Sequence, residues 1–362
     1  MKRLAGVAAG IAAFSAAAVA LTAAGAPRAS SAYVLHRLVS DGGVPAPHHD
    51  ASLVNAWGFA ASPGGPWWTS NEARDSSTLY SGTGRKQLLT VAVAGGPTGV
   101  VFYGGRGLPV SGGGATAPAR FVYACEDGKI RAWSPTVPGD WSTSTEVVVD
   151  AAAEAAVFRG LAISTVSGRT RLYATDFHNA RVDVFDTDWK RIVRRGAFVD
   201  RSVPSWYAPF GIQAVGGHIF VTYIWRAPVD GNDAPTGGYV DEFDANGVLV
   251  ARVGRMGPLN APWGVALAPR GFGRFGGDLL VGNFGDGRIN AFRRAGRRWV
   301  YAGALRGRDG KPLGVNGIWG IAFGNGGLAG SPHNLYFVSG PHRWRGATES
   351  GVHGLIGFIS SA

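Results

Sequence analysis

The chain has 362 residues, 46% hydrophobic and 16% charged, a balance that excludes both a disordered chain and one built mostly of membrane spans. Its 57 glycines and 12 tryptophans favour many short strands joined by tight turns over long helices. A single cysteine excludes an internal disulfide, and a formal net charge of +11 permits attraction to anionic polymers or lipid head groups.

The first segment, MKRLAGVAAGIAAFSAAAVALTAAGAPRASSA, carries two basic residues, an apolar run to about Ala24 and then small residues. This layout predicts a secretory signal peptide over 1–32, cleaved after Ala32. Cleavage after Ala26 is the alternative, although Pro27 would follow that cut. The competing reading is a retained anchor, because the run is long enough for a marginal span; no second span follows. Removal would take Lys2, Arg3 and Arg28 away, lowering the charge from +11 to about +8. The mature chain, 33–362, is expected to be secreted and soluble.

YVLHRLVS (33–40) reads as a strand without a sheet of its own. In PAPHHDASL, His48, His49 and Asp50 invite a metal reading, but with no matched partner they read more simply as a polar loop. An aromatic or small residue, a glycine and an apolar strand then recur six times, in NAWGFAAS, GPTGVVFY, FRGLAIST, APFGIQAV, APWGVALA and GIWGIAFG. Each is followed by a second strand (PWWTSN, RFVYACE, RLYATD, HIFVTY, DLLVGN, NLYFVS) and a third (STLYSG, GKIRAW, ARVDVF, GYVDEF, GRINAF, HGLIGFI). The best helix candidate is one short stretch in a connection, DAAAEAAVFRG (150–160).

The anchor glycines, Gly58, Gly99, Gly160, Gly211, Gly264 and Gly320, recur at about 40 to 60 residues, the spacing of propeller blades. The sixth unit ends after its third strand. Pairing of 33–40 into it would close a ring and remove an exposed edge. The predicted fold is therefore all-β: one domain, a six-bladed β-propeller closed by its N-terminal strand. A closed barrel or a sandwich leaves the sixfold grammar unexplained.

In such a blade the start of the first strand and the end of the second share one face. Trp57, Phe210, Trp263 and Trp319 then surround one mouth of the channel together with Asn71, Glu126, Asp176, Tyr223, Asn283 and Ser339. Two readings stand for each group. Glu126, Asp176, Asn71 and Asn283 offer oxygens for a Ca²⁺ ion, or they cap the turns that follow them. Trp57, Phe210, Trp263 and Trp319, with Tyr223, offer stacking faces to a ligand, or the aromatics pack between blades beside glycines that allow close approach.

Elsewhere the simple reading leads. Asp286–Gly287 and Asp127–Gly128 supply hairpin-turn geometry, and DGNDAPTGG (230–238) lacks the later Glu of a calcium loop. Cys125 in FVYACE reads as a buried small hydrophobe. FRRAGRRW (292–299) and HRWRG (342–346) sit on separate turns, so a solvated arginine-rich surface is expected and nucleic acid is not. No nucleophile elbow, zincin motif, phosphate loop or paired-cysteine motif is present.

LVNAWGFA, EDGKIRAW, LYATDFHNARVDVFD, LNAPWGVALAP and GDLLVGNFGDGRINAF together resemble a family of exported bacterial six-bladed propellers of uncharacterised role, loosely akin to NHL-repeat and SMP-30-type propellers. The resemblance spans nearly all of the mature chain and implies fold and export. By the looser comparison, Glu126, Asp176, Asn71 and Asn283 are chemically suitable analogues of a central metal's ligands. The leading expectation is a monomeric binding protein for a small molecule, glycan or anionic envelope polymer at one channel mouth. The alternatives are a lactonase-like, metal-dependent hydrolase or lyase and a structural envelope-docking module.

Overall fold

The structure, a computed structural model, describes residue 1 and residues 32–226, 237–340 and 353–362. The predicted signal segment, all of DGNDAPTGG but its last two residues, and the arginine cluster at 342–346 lie outside them. No helix among the described residues is long and apolar enough to cross a membrane.

Six sheets form the six blades of a propeller, and a separate two-stranded hairpin, Pro109–Gly112 with Ala115–Pro118, is inserted into the second. Blade 1 runs Ala56–Ala61, Trp67–Asn71, Ser76–Tyr80, Lys86–Ala92 from axis to rim. Blades 2, 4 and 5 repeat this order of four strands, starting from Pro97–Phe102, Tyr207–Val215 and Pro262–Leu267. Blade 3 has three strands, Phe158–Val166, Arg169–Asp176 and Arg181–Phe185. The predicted helix in 150–160 is one 3₁₀ turn, Ala152–Glu154.

Blade 6 closes the ring as the sequence predicts. Tyr33–Ser40 pairs antiparallel with Leu355–Ser361, Tyr33 lying opposite Ser361, so the two ends of the domain share one sheet. Tyr33 anchors the strand: its hydroxyl donates to the Phe272 carbonyl and accepts from the Phe275 amide, both at 3.2 Å, and burial pushes its pKa up to about 12. His48–His49 adds a short, exposed parallel edge. Asp50 is buried, bonded to the Tyr80 hydroxyl and to Lys86, both at 2.7 Å. The histidine-rich loop thus fastens blade 6 to blade 1.

The recurring glycine is explained at the axis. Every pairing of first and second strands slips register near it, which is a bulge. The bulge brings each glycine against the next blade: a Cβ on Gly58 would stand 2.6 Å from the Thr98 carbonyl, and one on Gly211 2.2 Å from that of Trp263. The series runs from Gly58 through Gly320, which meets Phe59 and Trp57 of blade 1. Hydroxyls add cross-blade bonds, Thr98 to the Phe158 carbonyl at 3.0 Å and Thr175 to that of Phe210 at 2.7 Å. Apolar clusters fill the wedges between neighbouring blades. Cys125 is fully buried there, and burial raises its thiol to about 12, as expected of an inert hydrophobe.

Candidate functional site

The bulge also decides which side chains reach the axis. Directly before the six glycines stand Trp57, Thr98, Arg159, Phe210, Trp263 and Trp319. The register confirms that second-strand ends face these first-strand starts: Asn71 lies opposite Ala56, Asp176 opposite Phe158, Tyr223 opposite Pro209, Asn283 opposite Pro262 and Ser339 opposite Ile318.

The four axial aromatics do not offer free faces, which corrects the stacking expectation. Trp57 lies on Trp319 with ring centres 3.7 Å apart, and Phe210 and Trp263 meet Trp57 edge-on at 6.1 and 6.5 Å. Phe284 covers Trp319 at 3.9 Å. Six first strands converge here, and large rings projected toward one axis fill it and pack on each other. They form a plug across the channel. Tyr223 is corrected as well, because it belongs to the buried cluster, with Tyr173, Ile212 and Tyr239, that fills the wedge between blades 3 and 4 and not to the one that holds the axial aromatics.

Blade 3 breaks the aromatic pattern with a charge. The Arg159 guanidinium lies 5.3 Å from the Trp57 ring centre and 5.6 Å from that of Phe177, forms an ion pair with Glu126, and has its backbone carbonyl bonded by the Trp263 indole at 3.2 Å. Burial lowers its pKa to about 10, against the pull of nearby Glu72, so it stays charged at neutral pH. Glu72 accepts from the Asn55 amide at 2.5 Å, and Asn55 accepts from the Trp319 indole at 3.3 Å. Two polar pairs, Glu126–Arg159 and Glu72–Asn55, close enough for Glu72 to influence the arginine's charge, therefore sit on the aromatic plug.

Two buried donors in this group have no acceptor among the described residues, Nε of Arg159 and Nε1 of Trp57. The site is reachable, because the side chains of Arg159 and Glu126 keep 26% and 29% of their exposure. Sequence reading passed over Arg159, yet the signal was present: aligning FRGLAIST with APFGIQAV puts the arginine in the slot that holds an aromatic elsewhere.

The four oxygen-bearing residues do not assemble a cation cage. Asn71 bonds Thr69 and Thr78 of its own blade at 2.9 and 2.8 Å. Asp176 accepts from the Val157 and Asn179 amides at 3.2 Å and from the Asn179 side chain at 2.6 Å. Asn283 donates to the Pro258 carbonyl and to Asp286 at 2.8 and 3.1 Å, and Glu126 is taken up by Arg159. Of the four residues, only Asn283 keeps a buried acceptor without a partner, Oδ1. No group of three or more His, Cys, Asp or Glu among the described residues is placed to hold a metal. The turns and loops beside the strand ends explain Asp176 and Asn283, threonines of its own blade explain Asn71, and the arginine explains Glu126. Ser339 is buried with its hydroxyl unpaired.

Beside Tyr223, Asp241 gives a pH-dependent prediction. Burial pushes its carboxyl up to about 7, against the attraction of Arg252 and with the repulsion of Asp200. Its folded pKa lies above the unfolded value of about 3.9, so its contribution to stability is complete below that value and is lost as pH rises to 7. Urea unfolding across pH 4–8 should show this fall in the wild type and a flatter profile in Asp241→Asn; equal slopes would contradict the assignment.

No family model matches the chain. Two uncharacterised proteins of Acanthamoeba polyphaga mimivirus do: one is 32% identical over 310 residues, covering 82% of this chain and 80% of the relative, and the other is 33% identical over 351 residues, covering 92% and 81%. These relatives are viral, where the sequence resemblance was to bacterial proteins. Among solved structures, the apo-form of the soluble aldose sugar dehydrogenase of Escherichia coli superposes with a TM-score of 0.52 at 12% identity, over 91% of this chain and all (100%) of that one. A streptogramin B lyase superposes with a TM-score of 0.50 at 11% identity, over 91% and 97%. At such identity these likenesses establish the fold alone.

Proposed function

The chain belongs to the same family as the uncharacterised mimivirus proteins, and from its axial site we propose that it is a binding propeller taking a small, oxygen-rich ligand of the saccharide class at the Arg159 mouth. The observation that carries this reading is the pair of buried, unpartnered donors on Arg159 and Trp57. Each costs about 1–3 kcal/mol while unpaired; both atoms are buried, so a ligand oxygen collects that gain once the Arg159 side chain shifts to admit it. The second carboxylate oxygens, Oε2 of Glu126 and Oε1 of Glu72, supply acceptors for hydroxyls beside the bonds those residues already make to Arg159 and Asn55, and the half-buried edge of Phe177 supplies apolar contact. Binding is preferred to metal-assisted hydrolysis because Asn71, Asp176 and Glu126 are already engaged by protein groups, which leaves Asn283 Oδ1 as the one buried unpartnered oxygen of the four among the described residues.

Export is part of the proposal. Residues 1–32 read as a cleaved signal, which places the site in an extracellular setting where glycans and envelope polymers are available.

Titration of the purified 33–362 chain with a panel of mono- and disaccharides tests the site. At least one sugar should bind, and Arg159→Ala should weaken it at least tenfold, about 1.4 kcal/mol, with Glu126→Gln having a smaller effect. A wild-type protein that binds none of the panel, or an Arg159→Ala variant that binds as the wild type does, would sink the reading.

A further inference from the structure

The far end of the channel is open. Beyond the glycine ring the first strands splay into a cavity of about 490 Å³, with Phe59, Val101, Phe102, Ile163, Ala214 and Phe323 among its walls. It tapers to a throat of about 30 Å³ at Gly58, Gly99, Gly264 and Gly320, which also touches Trp263 of the plug. Because those glycines sit against neighbouring blades, the throat is fixed by backbone contacts and cannot widen without parting the ring. The result is a preformed pocket on the axis, with the plug between it and the Arg159 mouth.

Its chemistry differs from that of the rest of the surface. The chain carries 35 Lys and Arg and 24 Asp and Glu, yet no charged side chain among the described residues lines this cavity. Five blades contribute apolar or small residues. The polar exceptions are Ser62, Asn325, Gln213 and the indole of Trp67, whose Nε1 is buried with no partner among the described residues. Asn325 is occupied: its amide donates to the Ser62 and Gly65 carbonyls at 2.8 Å, and its oxygen accepts the Gly327 and Ala329 amides at 2.9 and 3.2 Å. Gln213 lines both the cavity and the throat, is exposed, and makes no side-chain hydrogen bond to the described residues.

We propose that this funnel is a second ligand site, for a neutral, largely apolar small molecule carrying one hydroxyl or carbonyl group that meets Gln213. The volume falls in the range of small-molecule pockets, about 300–1,000 Å³. The absence of charge selects against ions, since a charged group would be desolvated there without a partner. The taper selects a small molecule over a folded partner, because only a narrow, rigid end enters the throat. The exposed Gln213 amide fixes orientation and leaves the apolar body to the walls, the Trp67 indole N–H being buried away from solvent.

Pyrene and 1-hydroxypyrene, titrated at pH 6 with fluorescence detection, serve as probes. Wild-type protein should bind each with one-to-one stoichiometry and give pyrene the vibronic ratio of an apolar environment. Ala214→Trp fills the funnel and should weaken both at least tenfold. Gln213→Leu, a change at an exposed position that keeps the fold, adds apolar wall and should not weaken pyrene, whereas it should weaken 1-hydroxypyrene about fivefold. The proposal is overturned if folded wild-type protein binds neither probe, or if neither substitution alters binding. Saccharide binding at the Arg159 mouth should be indifferent to Gln213→Leu, so the two sites succeed or fail separately.

Discussion

Gly211→Ala should destabilise the ring by about 3 kcal/mol or more, toward the upper end of what overpacking a tight core costs. Gly211 has no left-handed backbone angle, so alanine itself adopts the conformation there; the loss comes from position. An added Cβ would stand 2.2 Å from the Trp263 carbonyl oxygen and 3.0 Å from the Thr222 hydroxyl, which already accepts the Gly211 amide at 2.8 Å. Trp263 is fixed in turn by the aromatic plug, so the methyl group can be accommodated only by moving blade 5 away from blade 4. Gly314→Ala is the control, because a Cβ there meets nothing within 4 Å and its backbone angle is also ordinary. It should change stability by no more than about 0.5 kcal/mol. Urea unfolding of the two variants beside the wild type decides the matter; equal losses would show that the glycine ring is not tight.

The second large effect is expected at the closure. Deleting residues 1–40 removes Tyr33–Ser40 from blade 6 and strips Leu355–Ser361 of its outer partner. Three core residues go with it, Tyr33, Leu38 and Val39. Tyr33 alone packs on Phe272 and Phe275 with ring centres 5.0 and 5.9 Å apart, and burial of a ring that size contributes about 1.5–3 kcal/mol. The truncated chain should lose cooperative unfolding and aggregate through the bared edge, whereas deletion of residues 1–31 should leave the ring intact. A synthetic peptide of residues 32–41 should restore cooperative unfolding to the longer deletion. A truncated chain that unfolds like the full one would contradict the closure.

Much of this fold was legible because the axis of a propeller writes the same constraint into every blade. A large or polar residue, then glycine, then an apolar strand is what a bulge beside a neighbouring backbone demands, and it recurs in NAWGF, FRGLA and APWGV. The fourth strands were not legible. Lys86–Ala92 and Arg298–Ala304 lie at the rim and are exposed or half-buried at all but one position each, so neither burial nor close approach imposes a pattern on them. The site was legible in part. Second-strand ends do face first-strand starts, but strand order cannot say whether a ring pointing at the axis meets solvent or another ring, and here it meets Trp319 or Trp57. Nor can it say whether a carboxylate is free: Asp176 is spent on Asn179 and Glu126 on Arg159. Arg159 itself was hidden by attention to what the repeats share, since its meaning lies in being the one charge in a slot that is otherwise aromatic or small.

The most direct measurement of the axial site is the side-chain Nε–H resonance of Arg159 in a ¹⁵N–¹H spectrum, assigned by its disappearance in Arg159→Lys. Addition of a bound saccharide should shift that signal, with the Trp57 indole signal moving along the same titration, because both donors then gain an acceptor. Saccharide binding that leaves both resonances in place would put the ligand elsewhere and contradict the Arg159 mouth as the binding site.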